Sequence, residues 1–176
     1  IVISGTSMSK YFDELDVRPV EVITSKELLK AACCNLSESF TTNAGVDIQF
    51  QDAVTGAKQI QLLGLAGIYT QMMFENIPTL KGVTNTFGLG YVPGPWMTSI
   101  SVSKGAGSVI NGYESITGQI NIDYKKPDDV ERYYFNAFQS SHFKTDLNAN
   151  EAVQLSENLS TMLLAHTDFV TKTLDD

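Results

Sequence analysis

The chain has 176 residues, with 12 Lys plus Arg against 20 Asp plus Glu and a formal net charge of −8, and this size suits one compact domain with a tail. The few cations are not clustered, which excludes a phosphate-binding groove and makes nucleic acid an unsuitable partner. A hydrophobic content of 43% excludes wholesale disorder, and the longest uncharged apolar stretch, residues 62–69, falls far short of the roughly 20 residues of a membrane-spanning helix.

The first part of the chain predicts a strand followed at once by two short helices. Residues 18–23 place alternate valines on one face, which is typical of a strand. Thr24 and Glu27 have the spacing of a capping box, which predicts a helix over 25–32. Asn35 stands three residues before a second glutamate and predicts another short helix, which ends near residue 40.

Strand patterns then alternate with one long segment of a different composition. Val46, Ile48 and Phe50 alternate with polar residues, so we expect one buried face there. Residues 59–63 and 68–77 also predict strands. Residues 78–95, by contrast, carry four glycines and three prolines, which indicates a long irregular loop of the kind that is often functional.

The last third of the chain predicts more strands, interrupted by a polar break. Residues 100–103 and 119–124 are strand-like, and the charged stretch 125–129 is the best domain boundary in the sequence. Beyond it, three longer segments alternate between polar and apolar residues, at 132–139, 146–155 and 159–168.

Segments of about ten residues with this alternation are typical of outer-membrane barrel strands. In the second segment, apolar side chains occupy one face and polar side chains the other, with Glu151 as the exception on the apolar face. Soluble antiparallel hairpins show the same pattern, and these residues alone leave both interpretations open. Residues 131–176 are too few to close a barrel of about eight strands.

Residues 96–127 resemble the second half of the plug domain of TonB-dependent outer-membrane receptors. The matching elements are a strand that ends in Lys104-Gly105, a loop that closes on Gly112-Tyr113, and the strand Gly118-Gln119-Ile120-Asn121-Ile122. The upstream half is similar as well. It departs from the family where Leu63-Gly64 replaces the usual arginine-glycine pair and Glu75-Asn76 replaces an acidic-glycine pair.

The resemblance implies an α+β fold: a small mixed β-sheet plug with short helices and long loops, followed by antiparallel strands of an incomplete barrel. It assigns residues 1–127 to the plug and 128–176 to the start of the barrel. The implied function is gating without catalysis, in a receptor of the outer membrane that imports a siderophore, vitamin, oligosaccharide or metal chelate. TonB would supply the energy at the N-terminal end of the plug, which faces the periplasm.

The resemblance also indicates where ligand and TonB would bind. Residues 79–96 form the leading ligand loop, in which Phe87, Tyr91 and Trp96 could stack on a ligand; the alternative is that these aromatic side chains pack against protein. Trp96 is more typical of a structural residue, because it leads directly into a strand. Residues that could pair with TonB by strand addition, or instead begin the first strand, are Ile1, Val2, Ile3 and Ser4.

The sequence predicts no cofactor and no metal centre. Cys33, Cys34, Met72 and Met73 are donors that a thiophilic metal would select, but nothing in the pattern brings them together, and vicinal cysteines more often fill small buried spaces. His142 and His166 lie in different strands of the tail.

The glycine-rich stretch 104–118 lacks the Gly-Lys-Ser/Thr ending of a phosphate loop, and no Ser/His/Asp or Cys/His set stands out. We therefore expect no enzyme. The alternative function is that of a soluble, β-rich ligand-binding module, and carbohydrate is one ligand that such a module could bind. In an isolated fragment, the unpaired strand edges in 131–176 would favour dimerisation or strand swapping.

Overall fold

The computed structural model describes residues 10–13, 20–30, 35–40, 43, 45–50, 58–82, 84–85, 88–107, 115–128, 130–141 and 144–171. The chain divides into two compact units, residues 1–124 and 125–176. Among the described residues, no helix has the length and apolar character needed to cross a membrane.

The first unit contains nine of the described strands and two short helices. The helices are α1 (Ser25–Lys30) and α2 (Leu36–Ser39). The strands are β1 (Lys10–Asp13), β2 (Val20–Thr24), β3 (Val46–Phe50), β4 (Lys58–Leu62), β5 (Leu65–Ala66), β6 (Thr70–Phe74), β7 (Ile77–Thr79), β8 (Met97–Lys104) and β9 (Gly118–Tyr124). Asn35 caps α2 as the sequence predicts, because its side-chain oxygen accepts a hydrogen bond from the Glu38 amide at 3.2 Å.

Six strands form a mixed sheet in the order β1-β2-β8-β9-β6-β7. Strands β6 and β9 are parallel, and the other neighbouring pairs are antiparallel. A separate antiparallel sheet contains β3, β4 and β5. The predicted fold class, a small mixed sheet with short helices and long loops, is confirmed.

One face of the six-stranded sheet forms the hydrophobic core. In cross-strand register, Ile23 lies beside Ile100, and Ile100 lies beside Ile122. These three side chains are fully buried, and burial of each stabilises the fold by about 1.5–3 kcal/mol. The same core cluster includes residues from α2, β4 and the long loop: Leu36, Phe40, Ile60, Leu62, Leu89 and Val92.

Two predictions for this unit are wrong in detail. Phe50 is 70% exposed instead of buried, because burial decreases along the edge strand β3 from Val46 to its end. The single strand expected over 68–77 is a hairpin, β6 and β7, whose turn residues Glu75 and Asn76 have φ of +52° and +62°. Two consecutive residues with positive φ are typical of a tight hairpin turn.

The long loop between β7 and β8 is packed against the protein rather than open. It contains two short 3₁₀ turns, Gly88–Gly90 and Gly94–Trp96. Leu89 and Val92 belong to the core, and the Val92 carbonyl accepts a hydrogen bond from the Leu36 amide at 2.8 Å. The loop therefore helps to cover the apolar face of the sheet.

The second unit is an antiparallel sheet of three long strands, β10 (Tyr133–Gln139), β11 (Lys144–Ser156) and β12 (Leu159–Val170). The predicted strands fall on these three, with ends that differ by a few residues. In β11, the buried side chains are the polar ones, Asp146, Asn148 and Asn150, together with Ala152. The polarity of this sheet is therefore opposite to that of a soluble protein.

Candidate functional site

One end of the six-stranded sheet brings together three separate segments of the chain. Gly118, the first residue of β9, pairs with Thr70, the first residue of β6, and with Lys104, the last residue of β8. Strands β6 and β9 therefore begin at this end of the sheet, and β8 ends there. The Tyr69 carbonyl accepts hydrogen bonds from the amides of Ile116 and Thr117, both at 3.0 Å. We call this the Gly118 end of the sheet.

Exposed apolar side chains are concentrated on these segments. Leu63 and Leu65 belong to the β4–β5 hairpin, Ile68 and Tyr69 follow it, and Ile116 is bonded to Tyr69 through the backbone. All five are exposed, by 40% to 62%. Exposed apolar patches on soluble surfaces commonly mark interaction sites. We call these five residues the apolar rim.

A buried polar network holds the strands that carry the apolar rim. The Thr70 and Thr117 hydroxyls are 2.8 Å apart, and Thr117 also donates to the Tyr69 carbonyl at 3.0 Å. One strand position further, Gln119 donates to the Gln71 side chain at 2.7 Å. Satisfied polar networks in a low-dielectric interior fix one arrangement of the groups they join, so the base of the apolar rim is rigid.

The long loop is joined to the same end of the sheet. The side-chain amide of Asn85 is buried and donates to the Gly67 carbonyl at 2.9 Å. Gly67 itself lies so close to the Ile60 carbonyl that a Cβ atom would overlap it. The β4–β5 hairpin, the segment 67–69 and the loop are consequently held together at the Gly118 end.

The turn that presents Leu63 is strained. Leu63 has φ of +56° and Gly64 has φ of +75°, and a left-handed conformation costs roughly 1–2 kcal/mol for a residue with a branched side chain. The strain places an apolar side chain in solvent, where it gains nothing from the core. Strain of this kind is often retained at binding sites.

The opposite end of the sheet is closed by Glu75. Its carboxylate accepts a hydrogen bond from the Tyr124 amide at 2.7 Å, and its own amide donates to the Ile122 carbonyl at 3.0 Å. Burial raises the pKa of the Tyr124 hydroxyl, and the negative charge of Glu75 raises it further. Burial lowers the pKa of Lys125, the next residue.

The structure places the predicted ligand-loop residues in different environments. Tyr91 is 80% exposed and lies next to Val92, which is bonded to α2. Trp96 is half-buried at the start of β8. Phe87 lies outside the described residues, as do Ile1, Val2, Ile3 and Ser4.

The structure does not assemble the predicted metal donors that it describes. Met72 and Met73 are adjacent in β6, so their side chains point to opposite faces of the sheet. Met72 belongs to the hydrophobic core, and both residues are buried. Cys33, Cys34 and His142 lie outside the described residues.

His166 is part of a polar row on the buried face of the second unit. The Asn148 side-chain amide donates to the Asp146 carboxylate, which can only accept. The Asn148 oxygen therefore faces Nδ1 of His166 at 2.9 Å, in position to accept a hydrogen bond from the tautomer that carries its proton on Nδ1. Lys144 and Asp168 form an ion pair at 3.5 Å further along the same sheet.

The opposite face of this sheet is apolar and exposed. Large side chains on it include Tyr133, Phe135, Leu155, Leu159, Leu163 and Phe169, each exposed by 49% or more. Alternation of exposed apolar and buried polar residues along long strands is the pattern of a strand that has lipid on one side and a polar interior on the other.

The apolar rim was not found by sequence reasoning. Sequence reasoning noted residues 62–69 as an apolar stretch too short to span a membrane, and Leu63-Gly64 as a departure from the family's arginine-glycine pair, but it predicted no exposed surface there. Whether such a stretch is buried or exposed depends on the segments that cover it, and these are distant in sequence. The positive φ of Leu63 has one sequence signal, the glycine that follows it, because glycine readily adopts the positive φ that tight turns require.

Comparison with protein families matches residues 15–119 to the family described as the TonB-dependent Receptor Plug Domain. Comparison with curated proteins gives no significant match. The match covers more than half of the chain, so the chain belongs to the family of TonB-dependent receptor plug domains.

Several solved structures are similar to the chain. FpvA of P. aeruginosa bound to heterologous pyoverdines is 17% identical, with a TM-score of 0.75, and the match covers 89% of this chain and 21% of FpvA. The alcaligin outer-membrane receptor FauA from Bordetella pertussis is 16% identical, with a TM-score of 0.71 and coverage of 88% and 27%. The ferric yersiniabactin uptake receptor FyuA from Yersinia pestis is 19% identical, with a TM-score of 0.68 and coverage of 84% and 24%.

These structures share the fold of this chain, which spans only about a fifth to just over a quarter of their lengths.

Proposed function

We propose that the chain is the plug and the opening barrel strands of a TonB-dependent receptor in the outer membrane, where it gates the import of a scarce nutrient. Residues 1–127 are the plug and 128–176 begin the barrel. The main support is the polarity of the second unit, in which Asp146 and Asn148 are buried while Phe135 and Leu163 are exposed. A barrel strand between lipid and a polar interior requires this arrangement.

A soluble ligand-binding module is the less suitable function. Such a module would bury the apolar faces of β10–β12 and expose their polar faces, which is the reverse of what these strands show. The plug and barrel assignment explains both faces at once.

The imported substrate is a ferric siderophore. The similar solved structures include receptors for pyoverdine, alcaligin and ferric yersiniabactin, which supports this class over vitamins and oligosaccharides. The apolar rim is the proposed plug surface for the ligand, together with Tyr91 and Phe87 from the long loop.

TonB is the proposed energy-supplying partner, on the periplasmic side. The chain enters the six-stranded sheet through β1, which among the described strands is an edge strand that pairs only with β2. An N-terminal segment that precedes an edge strand can be extracted without breaking the central β8–β9 pair. Strand addition by Ile1, Val2, Ile3 and Ser4 to TonB is the proposed contact.

The full-length receptor tests the function. In cells grown under iron limitation, uptake of a labelled ferric siderophore should depend on TonB. Leu65→Ser, Ile68→Ser and Ile116→Ser combined should weaken siderophore binding about tenfold or more, because three apolar contacts are lost. Ile77→Ser is the matched control, since Ile77 is equally exposed but lies in β7, in the hairpin at the other end of the sheet.

Unchanged siderophore binding in the triple variant would show that the apolar rim is not part of the ligand site. TonB-independent uptake, or the absence of uptake with every siderophore class tried, would contradict the function itself.

A further inference from the structure

Glu151 is an acidic residue on the mainly apolar face of the second unit. In β11 it lies between Ala149 and Val153 on the same face, and its cross-strand neighbours are Tyr133 and Leu163. Within the described residues, its carboxylate forms no hydrogen bond or ion pair. If this face meets lipid, as the proposed function requires, the charge faces a medium that offers it no water.

An ionised group in such a place is costly and commonly marks a functional site. The cost to the fold is lower when a partner of opposite charge satisfies the carboxylate. No cation of the described residues does so, and a ligand of opposite charge would satisfy it.

A groove lies beside Glu151 on the same face. Its floor is the directly paired Ala149 and Ala165, and its walls include Phe135 and Leu163. Two small side chains between larger ones produce a depression of about 450 Å³, which is within the range of small-molecule sites. The lining is mainly apolar, as an acyl chain requires, and its polar members are Glu151 and Asn150.

Glu151 lines one end of the groove, and Arg132, which lines a neighbouring depression, lies near the same end. Tyr133, which lines the groove, lies under the guanidinium of Arg132, whose central carbon is 5.2 Å from the centre of the ring. Arg132 is exposed. One carboxylate and one guanidinium therefore flank the same tyrosine, beside an apolar groove.

We propose that this groove binds one molecule of phosphatidylethanolamine. The acyl chain lies over Ala149 and Ala165, the ammonium group donates hydrogen bonds to Glu151, and Arg132 contacts the phosphate. Charge complementarity favours this lipid, because a zwitterionic headgroup with a primary ammonium matches the carboxylate and the guanidinium together. An anionic headgroup would satisfy Arg132 and leave Glu151 unpaired.

The proposal rests on the proposed function, since it requires this face to lie in the membrane. The test uses the full-length receptor, purified in mild detergent and examined by native mass spectrometry with added lipids. Phosphatidylethanolamine should bind with a stoichiometry of one and more tightly than phosphatidylglycerol or phosphatidylcholine. The quaternary ammonium of phosphatidylcholine cannot donate a hydrogen bond to Glu151.

Glu151→Gln should weaken phosphatidylethanolamine binding about tenfold, because the amide oxygen of glutamine still accepts a hydrogen bond but carries no negative charge to pair with the ammonium. Ala149→Leu should block the groove with the carboxylate intact. Glu157→Gln is the control, because Glu157 is exposed in the turn between β11 and β12 and does not line the groove. It should bind like the wild type.

Equal binding of all three lipids, unchanged binding in Glu151→Gln, or a second receptor copy on this face would overturn the proposal. Membrane insertion is measured separately, as resistance of the receptor to extraction by urea from outer-membrane preparations. An inserted receptor without selective lipid binding refutes the lipid site alone, whereas a receptor that urea extracts refutes the proposed function.

Discussion

At the scale of single residues, Leu63 combines backbone strain with an exposed apolar side chain in the proposed ligand surface. Its φ is +56° and its side chain is largely exposed. The strained backbone conformation therefore costs stability without burying the side chain. Asparagine adopts the left-handed conformation more easily than leucine. The position is therefore better explained by a surface role of the apolar side chain than by stability.

Replacing Leu63 by asparagine should stabilise the chain. The control is Leu65→Asn, which removes a similar exposed leucine from an ordinary strand position. The free energy of unfolding of Leu63→Asn should be about 1 kcal/mol higher than that of the control, because only Leu63→Asn relieves the left-handed strain. Urea unfolding followed by the fluorescence of Trp96, the single tryptophan, measures the difference. Equal midpoints for the two variants would show that the turn is not strained.

The sequence allowed some residue environments to be predicted and not others. Ile100 and Val102 were expected on one face, and both are buried in the core. The exposure of Leu65 and Ile68 could not be predicted, because an apolar side chain carries no local signal of what covers it. Tyr91 was identified by its glycine-rich surroundings, and its role in ligand contact stays a prediction.

At the scale of elements, the last residue of β9 is where the first unit ends. Tyr124 packs against Phe74, with ring centroids 5.6 Å apart, and its amide is bonded to Glu75. The β6–β7 turn is thus attached to the end of β9 through both backbone and side chain. This contact holds the parallel pair β6 and β9 together where the turn leaves the sheet.

The raised pKa of Tyr124 predicts a loss of stability at alkaline pH. Below about pH 10, the usual value for tyrosine, the hydroxyl is protonated in both the folded and unfolded states. Above it, the unfolded state loses the proton first, so stability falls as pH rises towards the folded-state pKa. The lowered pKa of Lys125 has the opposite effect, because it favours the folded state as pH rises. Lys125 is present in every variant compared, so its effect does not alter the comparison.

Tyr124→Phe should therefore lose less stability between pH 9 and pH 11 than the wild type, while it keeps the ring contact with Phe74. Tyr91→Phe is the control, because it removes the hydroxyl of a largely exposed tyrosine elsewhere in the same unit. Urea midpoints at the two pH values provide the measurement. Parallel losses in all three proteins would contradict the prediction.

Strand elements were predictable wherever alternation extended over several residues, as in β3, β9 and the three strands of the second unit. The break between β6 and β7 was missed because its turn is Glu75-Asn76 and contains neither glycine nor proline. The parallel pairing of β6 with β9 could not be read from local patterns, because the two strands are separated by more than forty residues. Their pairing depends on the whole sheet.

At the scale of the whole molecule, the two units differ in what they bury. The first unit buries isoleucines on one face of its sheet, whereas the second exposes its apolar face and buries Asp146 and Asn148. Strands β10 and β12 are each paired only with β11 among the described strands. In isolation, the 176-residue polypeptide therefore presents both free strand edges and a free apolar face.

We expect this polypeptide to self-associate in water, whereas a chain that ends at Pro127 should be monomeric. Size-exclusion chromatography with light scattering measures both masses. Detergent separates the two causes, because it covers an apolar face but does not pair with a strand edge. Dissociation in detergent would assign the association to the exposed Phe135 and Leu163 face, and persistence would assign it to the edges of β10 and β12. If both chains are monomeric in water, neither surface needs a partner, and this result would contradict the proposed assignment of β10–β12 to a barrel.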